Sequence, residues 1–330
     1  MPLHPDFARK LHLLDGMTSI PVALEDPEQF PRLAEFMCIG QGGPAPAAVT
    51  TMAEAPGPHG TVPVRVYGPV GEPVPHRPAL VWVHGGGFTM GNLDEPASDR
   101  LAREMCDRAG AVVVSVDYRL AGESVCYPVP HDDVVAAVRW VRSSADELGI
   151  DPFRIALGGD SAGGNLAAGA ALKLRDDDGW VPSALLLAYP ILHPVLPPGS
   201  PLLAAAVGEL PDLLRFLPED VSGMVRTYVG GPESRADGYA MPGLGVLEGL
   251  CETVVVNAEC DDLRASGEAF VADAARAGVD VRQVTAPGML HAFLHLPDAF
   301  EAVSRVHAVF AETLVRSKAR REQGLLQTSP

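Results

Sequence analysis

The sequence predicts an α/β fold in which helices cover both faces of a mainly parallel, doubly wound central sheet. Short apolar stretches alternate with helical stretches from about Val62 to Val315, an alternation that is typical of parallel strands joined by crossover helices. The chain has 330 residues, a length that α/β folds often use for one domain with an elaboration. We therefore expect a single domain over residues 1–330.

Two segments fall outside this alternation. Residues 1–50 form a helical stretch punctuated by prolines, and residues 192–236 form a long insertion after the strand that ends near Tyr189. A connection of this length is usually functional. We expect a core at about 51–191 and 237–330, with the other two segments as a subdomain.

A glycine-rich motif follows the strand candidate Ala79–Val83. The sequence at 84–88 reads His-Gly-Gly-Gly-Phe, and glycines let backbone N–H groups approach a substrate oxygen without side chains in the way. The amides of Gly85 and Gly86 are therefore candidate donors to an oxyanion. We expect His84 to brace the loop by hydrogen bonds.

A second motif, Gly-Asp-Ser-Ala-Gly at 159–163, lies between the strand candidate Phe153–Leu157 and the helical stretch Ala162–Leu174. A strand, a sharp turn at serine and a helix together are typical of a nucleophile elbow. The helix directs its first amides and the positive end of its dipole at the place where negative charge develops. Ser161 is the candidate nucleophile, and the amide of Ala162 is the third candidate oxyanion donor.

A serine nucleophile needs a histidine base and an acid that orients it, in the chain order serine, acid, histidine. The histidines that follow the serine are His193, His291, His295 and His307. His193 precedes every suitable acid-bearing strand, and His307 lies in the helical stretch Phe300–Val315. The base is therefore sought between the other two.

His291 follows the strand candidate Val281–Thr285 and a predicted loop at 287–288, which is where a catalytic histidine belongs. We predict that His291 is the base and that His295 lines or supports the site. The spacing of the two histidines resembles that of metal ligands, but no carboxylate–histidine motif accompanies them. No metal is predicted.

The acid is sought after the strand candidate Thr253–Ala258, because open α/β sheets place functional side chains at the carboxyl ends of their strands. Glu259, Asp261 and Asp262 follow this strand. Asp261 is our choice. Glu259 and Asp262 stay open as alternatives, with solvated turn residues or helix caps as their simpler roles.

Together these motifs resemble the hormone-sensitive-lipase-like family of α/β-hydrolase esterases, in the subgroup that carries Gly-Asp-Ser-Ala-Gly. The resemblance covers most of the chain and includes the stretches 117–121, 132–141, 261–263 and 289–293. It implies an α/β-hydrolase fold and a triad of Ser161, Asp261 and His291, in agreement with the choice made from the residues. The family commonly has proline where Gly122 and Asp262 stand, so both loops are expected to differ in rigidity.

The resemblance also implies a role for the two segments outside the core. In that family they join as a helical cap that closes an acyl or alcohol pocket over the active site. The candidate lining residues, each of which also suits an ordinary core position, are Phe36, Met37, Phe88, Phe216 and Met224. Dimers occur in the family, so a homodimer is possible here.

Composition excludes several classes of partner. A net charge of −17 disfavours nucleic acids and anionic membranes, which need cationic patches. The apolar run Ala184–Leu196 is too short and too proline-rich to span a bilayer, and residues 1–6 lack the pattern of a signal peptide. Scattered cysteines, five in number, favour free thiols in a reducing compartment. We expect a cytoplasmic protein.

The sequence thus predicts a carboxylic-ester hydrolase that cleaves small, mostly apolar acyl esters through an acyl-enzyme intermediate, without a cofactor or metal. Two alternatives on the same fold stay open. One is a non-hydrolytic small-molecule receptor, which the chemically competent triad disfavours. The other is a lyase-type relative that uses the same residues for elimination.

Overall fold

The computed structural model describes residues 3–37, 43–72 and 74–317. Within them, one sheet has eight strands in the order β1-β2-β4-β3-β5-β6-β7-β8. The strands are β1 Ala48–Ala55, β2 Val62–Pro69, β3 Arg77–Val83, β4 Val112–Val116, β5 Ile150–Asp160, β6 Leu185–Ala188, β7 Thr253–Cys260 and β8 Val281–Leu290.

The sheet is parallel from β4 through β3, β5, β6 and β7 to β8. Only β2 runs against its two neighbours, β1 and β4. The predicted mainly parallel sheet is confirmed. Edge strand β1 was not predicted, because its sequence, Ala-Val-Thr-Thr-Met-Ala-Glu-Ala, carries no continuous apolar run. In the structure most of its residues are exposed.

Helices cover both faces of the sheet. The α-helices are α1 Pro5–Lys10, α2 Ile20–Glu25, α3 Gln29–Met37, α4 Pro96–Ala109, α5 Val129–Ser143, α6 Ala162–Asp178, α7 Pro201–Val207, α8 Pro218–Val229, α9 Arg264–Arg276 and α10 Glu301–Arg316. Residues of α5, α6 and α9 share one hydrophobic cluster, and residues of α4 and α10 share the other. Strand β7 feeds both, because Val255 belongs to the first cluster and Val254 and Val256 to the second. This is the alternation of a strand covered on both faces.

The N-terminal segment and the insertion, residues 192–236, pack on this core from outside the sheet. Helix α8 adds Val225 and Tyr228 to the first cluster, and α7 adds Leu203 to the second. The amide of His4 donates to the carbonyl of Gly288 in β8 (2.9 Å). The N-terminal segment therefore reaches the carboxyl-terminal part of β8. Their grouping as a separate subdomain stays a prediction.

The composition-based expectations are tested only in part. Cys106, Cys126, Cys251 and Cys260 are free thiols, whereas Cys38 lies outside the described residues. None of the helices in the described part of the chain combines the length and apolar character needed to cross a bilayer. The cytoplasmic location and the homodimer stay predictions.

Candidate active site

Ser161 stands at a sharp turn between β5 and α6, as the elbow motif predicts. Its backbone has φ 51° and ψ −118°. Residues other than glycine rarely adopt this conformation, so the surrounding structure must enforce it. The turn also requires glycine at 163, where a Cβ would lie 2.1 Å from the carbonyl oxygen of Val83. Strand, turn and helix thus hold the serine at the carboxyl end of the parallel strands.

His291 and Asp261 complete a hydrogen-bonded chain with Ser161. The Nε2 atom of His291 lies 3.0 Å from Ser161 Oγ, and its Nδ1 lies 2.7 Å from Asp261 Oδ2. The Asp261 carboxylate is fully buried, and its other oxygen accepts a hydrogen bond from the Leu263 amide at 3.0 Å. A base at this distance can take the serine proton, while the carboxylate fixes the imidazole tautomer.

The two alternative acids have other partners. Glu259 Oε2 accepts a hydrogen bond from the amide of Gly288 in β8 at 2.7 Å. Asp262 forms an ion pair with Arg215 of the insertion. Of the three acids at the carboxyl end of β7, Asp261 is therefore the one placed against His291.

The strand before His291 is longer than the sequence indicates. Residues 287–288 belong to β8, which continues to Leu290, so the predicted loop there is wrong. Paired with β7 through Cys260 and Leu290, the strand delivers His291 directly at its carboxyl end. The turn follows at Ala292, whose φ is 59°.

The other histidines that follow the serine have separate environments. His295 lines the same cavity as His291, with its Nε2 3.8 Å from a Glu95 carboxylate oxygen, and burial lowers its pKa. His193 bonds to Ser266 Oγ at 2.8 Å, and His307 to Asp298 at 2.8 Å. None of these rings contacts Ser161 within the hydrogen bonds of the described residues.

The glycine loop differs from the expectation at one amide, that of Gly85. The Gly85 amide donates to Asp160 Oδ1 at 3.1 Å, so it is already engaged by a buried carboxylate. Within the described residues, the amides of Gly86 and Gly87 have no hydrogen-bond partner. Ala162 is the first residue of α6, where N–H groups have no acceptor within the helix. The Gly87 amide is thus available to an acceptor, whereas the Gly85 amide, which the sequence assigned to the oxyanion, is not.

Asp160 and His84 hold the glycine loop in place by hydrogen bonds to Gly85. Burial, with a further contribution from the charge of Glu95, raises the pKa of Asp160 to about 7. His84 Nδ1 lies 2.7 Å from the Gly85 carbonyl, and burial lowers the pKa of the ring. Tyr118 stacks on His84, with ring centroids 4.4 Å apart. The bracing role predicted for His84 agrees with this geometry.

A cavity of about 480 Å³ reaches His291. Its walls come from the N-terminal segment, the insertion and the turn after β8, and include Phe36, Met37, Phe216 and Met224. Phe88 is not among the lining residues, because it is fully buried and stacks on Tyr228, with ring centroids 4.1 Å apart. A second hollow, of about 600 Å³, lies between residues 56–58 and α5 and includes no triad residue.

One group of potential metal ligands occurs among the described residues. It consists of Glu104, Asp298 and His307. Arg108 already forms ion pairs with both carboxylates, at 2.7 and 2.9 Å. The guanidinium therefore supplies the positive charge that this group requires.

The fold and this geometry define the protein as an α/β hydrolase. A family model described as alpha/beta hydrolase fold matches residues 80–295. The chain belongs to this family, as a hormone-sensitive-lipase-like serine carboxylesterase.

Curated relatives and solved structures agree with this assignment. Carboxylesterase NlhH of Mycobacterium tuberculosis is 38% identical over 77% of this chain and 79% of its own. An ethyl acetate hydrolase of Pseudomonas putida is 30% identical over 95% of this chain and 99% of its own. The hyperthermophilic esterase of Pyrobaculum calidifontis, also 30% identical, superposes with a TM-score of 0.79 over 96% of this chain and 99% of its own. Ester hydrolysis is the activity that these likenesses support.

Sequence reasoning missed several residues of the site. Asp160 lies inside the serine motif, yet the motif alone does not reveal that its side chain reaches the Gly85 amide. Tyr118 was noted only as part of a family stretch. Arg215 had no sequence signal, because its partner, Asp262, lies 47 residues away in the chain.

Proposed function

We propose that the protein hydrolyses small, mostly apolar acyl esters through a triad of Ser161, His291 and Asp261. The observation that carries the proposal is the continuous hydrogen-bond chain from Ser161 Oγ through both ring nitrogens of His291 to Asp261. A serine, an imidazole and a buried carboxylate in this order form the arrangement that acyl transfer requires.

The reaction proceeds in two steps. Ser161 Oγ attacks the ester carbonyl carbon while His291 Nε2 takes its proton, and Asp261 stabilises the imidazolium. The oxyanion accepts hydrogen bonds from the amides of Gly86, Gly87 and Ala162. His291 then gives the proton to the departing alcohol, which leaves an acyl-enzyme. Water, deprotonated by the same imidazole, attacks this intermediate and releases the carboxylic acid.

The N-terminal segment and the insertion act as a cap in this proposal. Phe36 and Met37 from one segment and Phe216 and Met224 from the other face a common cavity beside His291. A cavity of about 480 Å³ with mostly apolar walls suits an uncharged, mostly apolar ester. The Pseudomonas putida relative is named for a small ester of this kind.

The experiment is hydrolysis of p-nitrophenyl esters from acetyl to decanoyl by the parent protein and by Ser161→Ala. Ser143→Ala is the matched control, because this serine only donates to the Trp140 carbonyl at an exposed helix end. Loss of the nucleophile typically reduces kcat by about 10⁶-fold, so Ser161→Ala should show no turnover above background, and Ser143→Ala should match the parent.

Product analysis completes the test. Mass spectrometry should find the carboxylic acid and the alcohol in equal amounts, whereas an elimination product would favour the lyase alternative. A folded parent protein that turns over no ester in the series, or a Ser161→Ala variant that keeps parental activity, would contradict the proposal.

A further inference from the structure

Two consecutive aspartates after β7 face different parts of the molecule. Asp261 bonds to His291, while Asp262 turns to the insertion and binds the Arg215 guanidinium at two points, Oδ2 to Nε at 2.7 Å and Oδ1 to Nη2 at 2.8 Å. Asp262 Oδ2 also accepts a hydrogen bond from the Phe216 amide at 3.0 Å. The side chains are only 19% and 14% exposed, so this bidentate pair is shielded more than an ordinary surface ion pair.

The pair sets the place of Phe216 in the cavity wall. Phe216 follows Arg215 directly, and its ring meets the His291 imidazole edge-on, with centroids 4.6 Å apart and planes at 69°. Arg215 also donates from Nη1 to the carbonyl of Val207 at the end of α7, at 3.1 Å. The insertion is thus fixed to the loop that carries the catalytic acid, at the point where an aromatic ring borders the base.

The pair also determines the charge of the wall. Arg215 is the one arginine or lysine among the described residues that line the cavity, and the carboxylates in that lining belong to Asp212 and Asp220, which are exposed. Because Asp262 neutralises Arg215, the wall offers a substrate no unpaired cation. A carboxylate on the substrate would lie near these acidic groups and would find no free cation to pair with.

We propose that the Arg215–Asp262 pair determines substrate specificity by neutralising the one cation of the cavity wall and holding Phe216 beside His291. The site then accepts uncharged esters and rejects esters that carry a carboxylate. This inference rests on the proposed esterase function. Arg215 and Asp262 are positioning residues, since neither contacts the reacting atoms.

The test compares two substrates of similar length, p-nitrophenyl pentanoate and the mono-p-nitrophenyl ester of glutaric acid. The measured quantity is the ratio of their kcat/KM values, anionic over neutral, at constant ionic strength. A general loss of catalysis cancels in this ratio. Asp262→Asn frees the charge of Arg215 and keeps an acceptor for the Phe216 amide, so the ratio should rise by about tenfold.

Arg215→Met tests the same inference with the opposite sign. It removes the cation and leaves the Asp262 carboxylate unpaired in the wall, so the ratio should fall by about threefold or more. KM for the neutral ester should rise more than kcat falls, because Phe216 loses its anchor while the triad hydrogen bonds remain. General loosening of the insertion would instead move both variants in the same direction.

Arg226→Met is the matched control. Arg226 pairs with Glu233 at 2.8 Å within the same insertion, and neither residue lines the cavity, so the ratio should stay within twofold of the parent value. An unchanged ratio in both Asp262→Asn and Arg215→Met, or shifts of the same sign, would overturn the inference. Should either variant not fold, the sign of the other decides. A parent protein without esterase activity would overturn the proposed function instead.

Discussion

Different contacts hold the two sides of the site in place. One side is the carboxyl end of the parallel strands, where Ser161, Asp261 and His291 lie (the catalytic edge), and the other is the cavity wall supplied by the insertion. At the carboxyl ends of the strands, hydrogen bonds to the backbone hold the functional residues. The Ser161 amide donates to the Ala188 carbonyl at 2.9 Å, and the Asp261 carboxylate accepts from the Leu263 amide. At the wall, Phe216 is held by the ion pair of its neighbour Arg215 with Asp262 and by the hydrogen bond that its own amide donates to Asp262. The groups to which we assign the reaction therefore sit on rigid strand ends, whereas those to which we assign substrate selection depend on a few side chains.

The sharpest way to test this contrast is to compare the two histidines that border the cavity. His291→Ala removes the base at the sheet edge and should lower kcat by about 10⁵-fold or more. His295→Ala removes a ring that contacts no triad atom by hydrogen bond and should change kcat by less than about tenfold. Steady-state kinetics on p-nitrophenyl butyrate gives both values. Similar losses in the two variants would contradict the assignment of the base.

The consecutive aspartates give the next largest difference. Asp261→Asn should lower kcat for the same ester by about 10³- to 10⁴-fold, because the imidazole loses its orienting carboxylate. Asp262→Asn should keep kcat for this neutral ester within about tenfold of the parent value, since its partners lie in the wall. Circular dichroism checks that both variants fold. A larger kcat loss in Asp262→Asn would show that the wall and the catalytic edge are not separable.

Asp160 offers a test in the free energy of unfolding. Burial raises its pKa to about 7, above the value in the unfolded chain. The protonated carboxyl therefore stabilises the folded protein at low pH, and this contribution to the free energy of unfolding is lost as the pH rises through about 7. Between pH 5 and 8 the parent protein should lose up to about 3 kcal/mol more stability than Asp160→Asn. Urea unfolding at both pH values measures this difference. Parallel pH dependences would mean that the carboxyl is not held in a buried, proton-retaining state.

The smallest expected effect concerns the wall above the glycine loop. Met224 lies so close that a Cβ at Gly87 would come within 3.2 Å of its sulfur, and Met224 lines the cavity. Met224→Ala should therefore enlarge the acyl site and lower kcat/KM for the acetyl ester by about three- to tenfold relative to the hexanoyl ester. Met90→Ala, at a methionine that is 65% exposed, is the matched control. An unchanged chain-length profile would place the acyl group elsewhere.

The sequence named three residues that the structure brings together, Ser161, Asp261 and His291, because its motifs report backbone requirements. A serine at a strained turn needs close glycines on both sides, and a strand end followed by a short turn positions an acid or a histidine. The sequence already favoured Asp261, but setting aside Glu259 and Asp262 needed the structure, because all three lie at the end of the same strand. Only side-chain direction separates them.

Two of the wrong predictions concern contacts that no local pattern contains. Gly85 was expected to face the substrate, but the Asp160 side chain, 75 residues later in the chain, occupies its amide. Phe88 was expected in the pocket wall, but the ring of Tyr228 from the insertion covers it. Such long-range pairings depend on tertiary packing, which composition and periodicity do not specify.

Two of the free cysteines described above are shielded from reaction, and one of them directly precedes the proposed catalytic acid. Cys260 precedes Asp261 directly, is fully buried, and has a pKa raised to about 11 by burial. Cys106 is similar, with a pKa raised to about 12. At neutral pH these thiols are almost wholly protonated, and the thiol form is a poor nucleophile. We therefore expect maleimides to modify both positions much more slowly than an exposed cysteine, so a serine-directed covalent probe can be applied to a thiol-blocked sample in which the residue before Asp261 is unmodified.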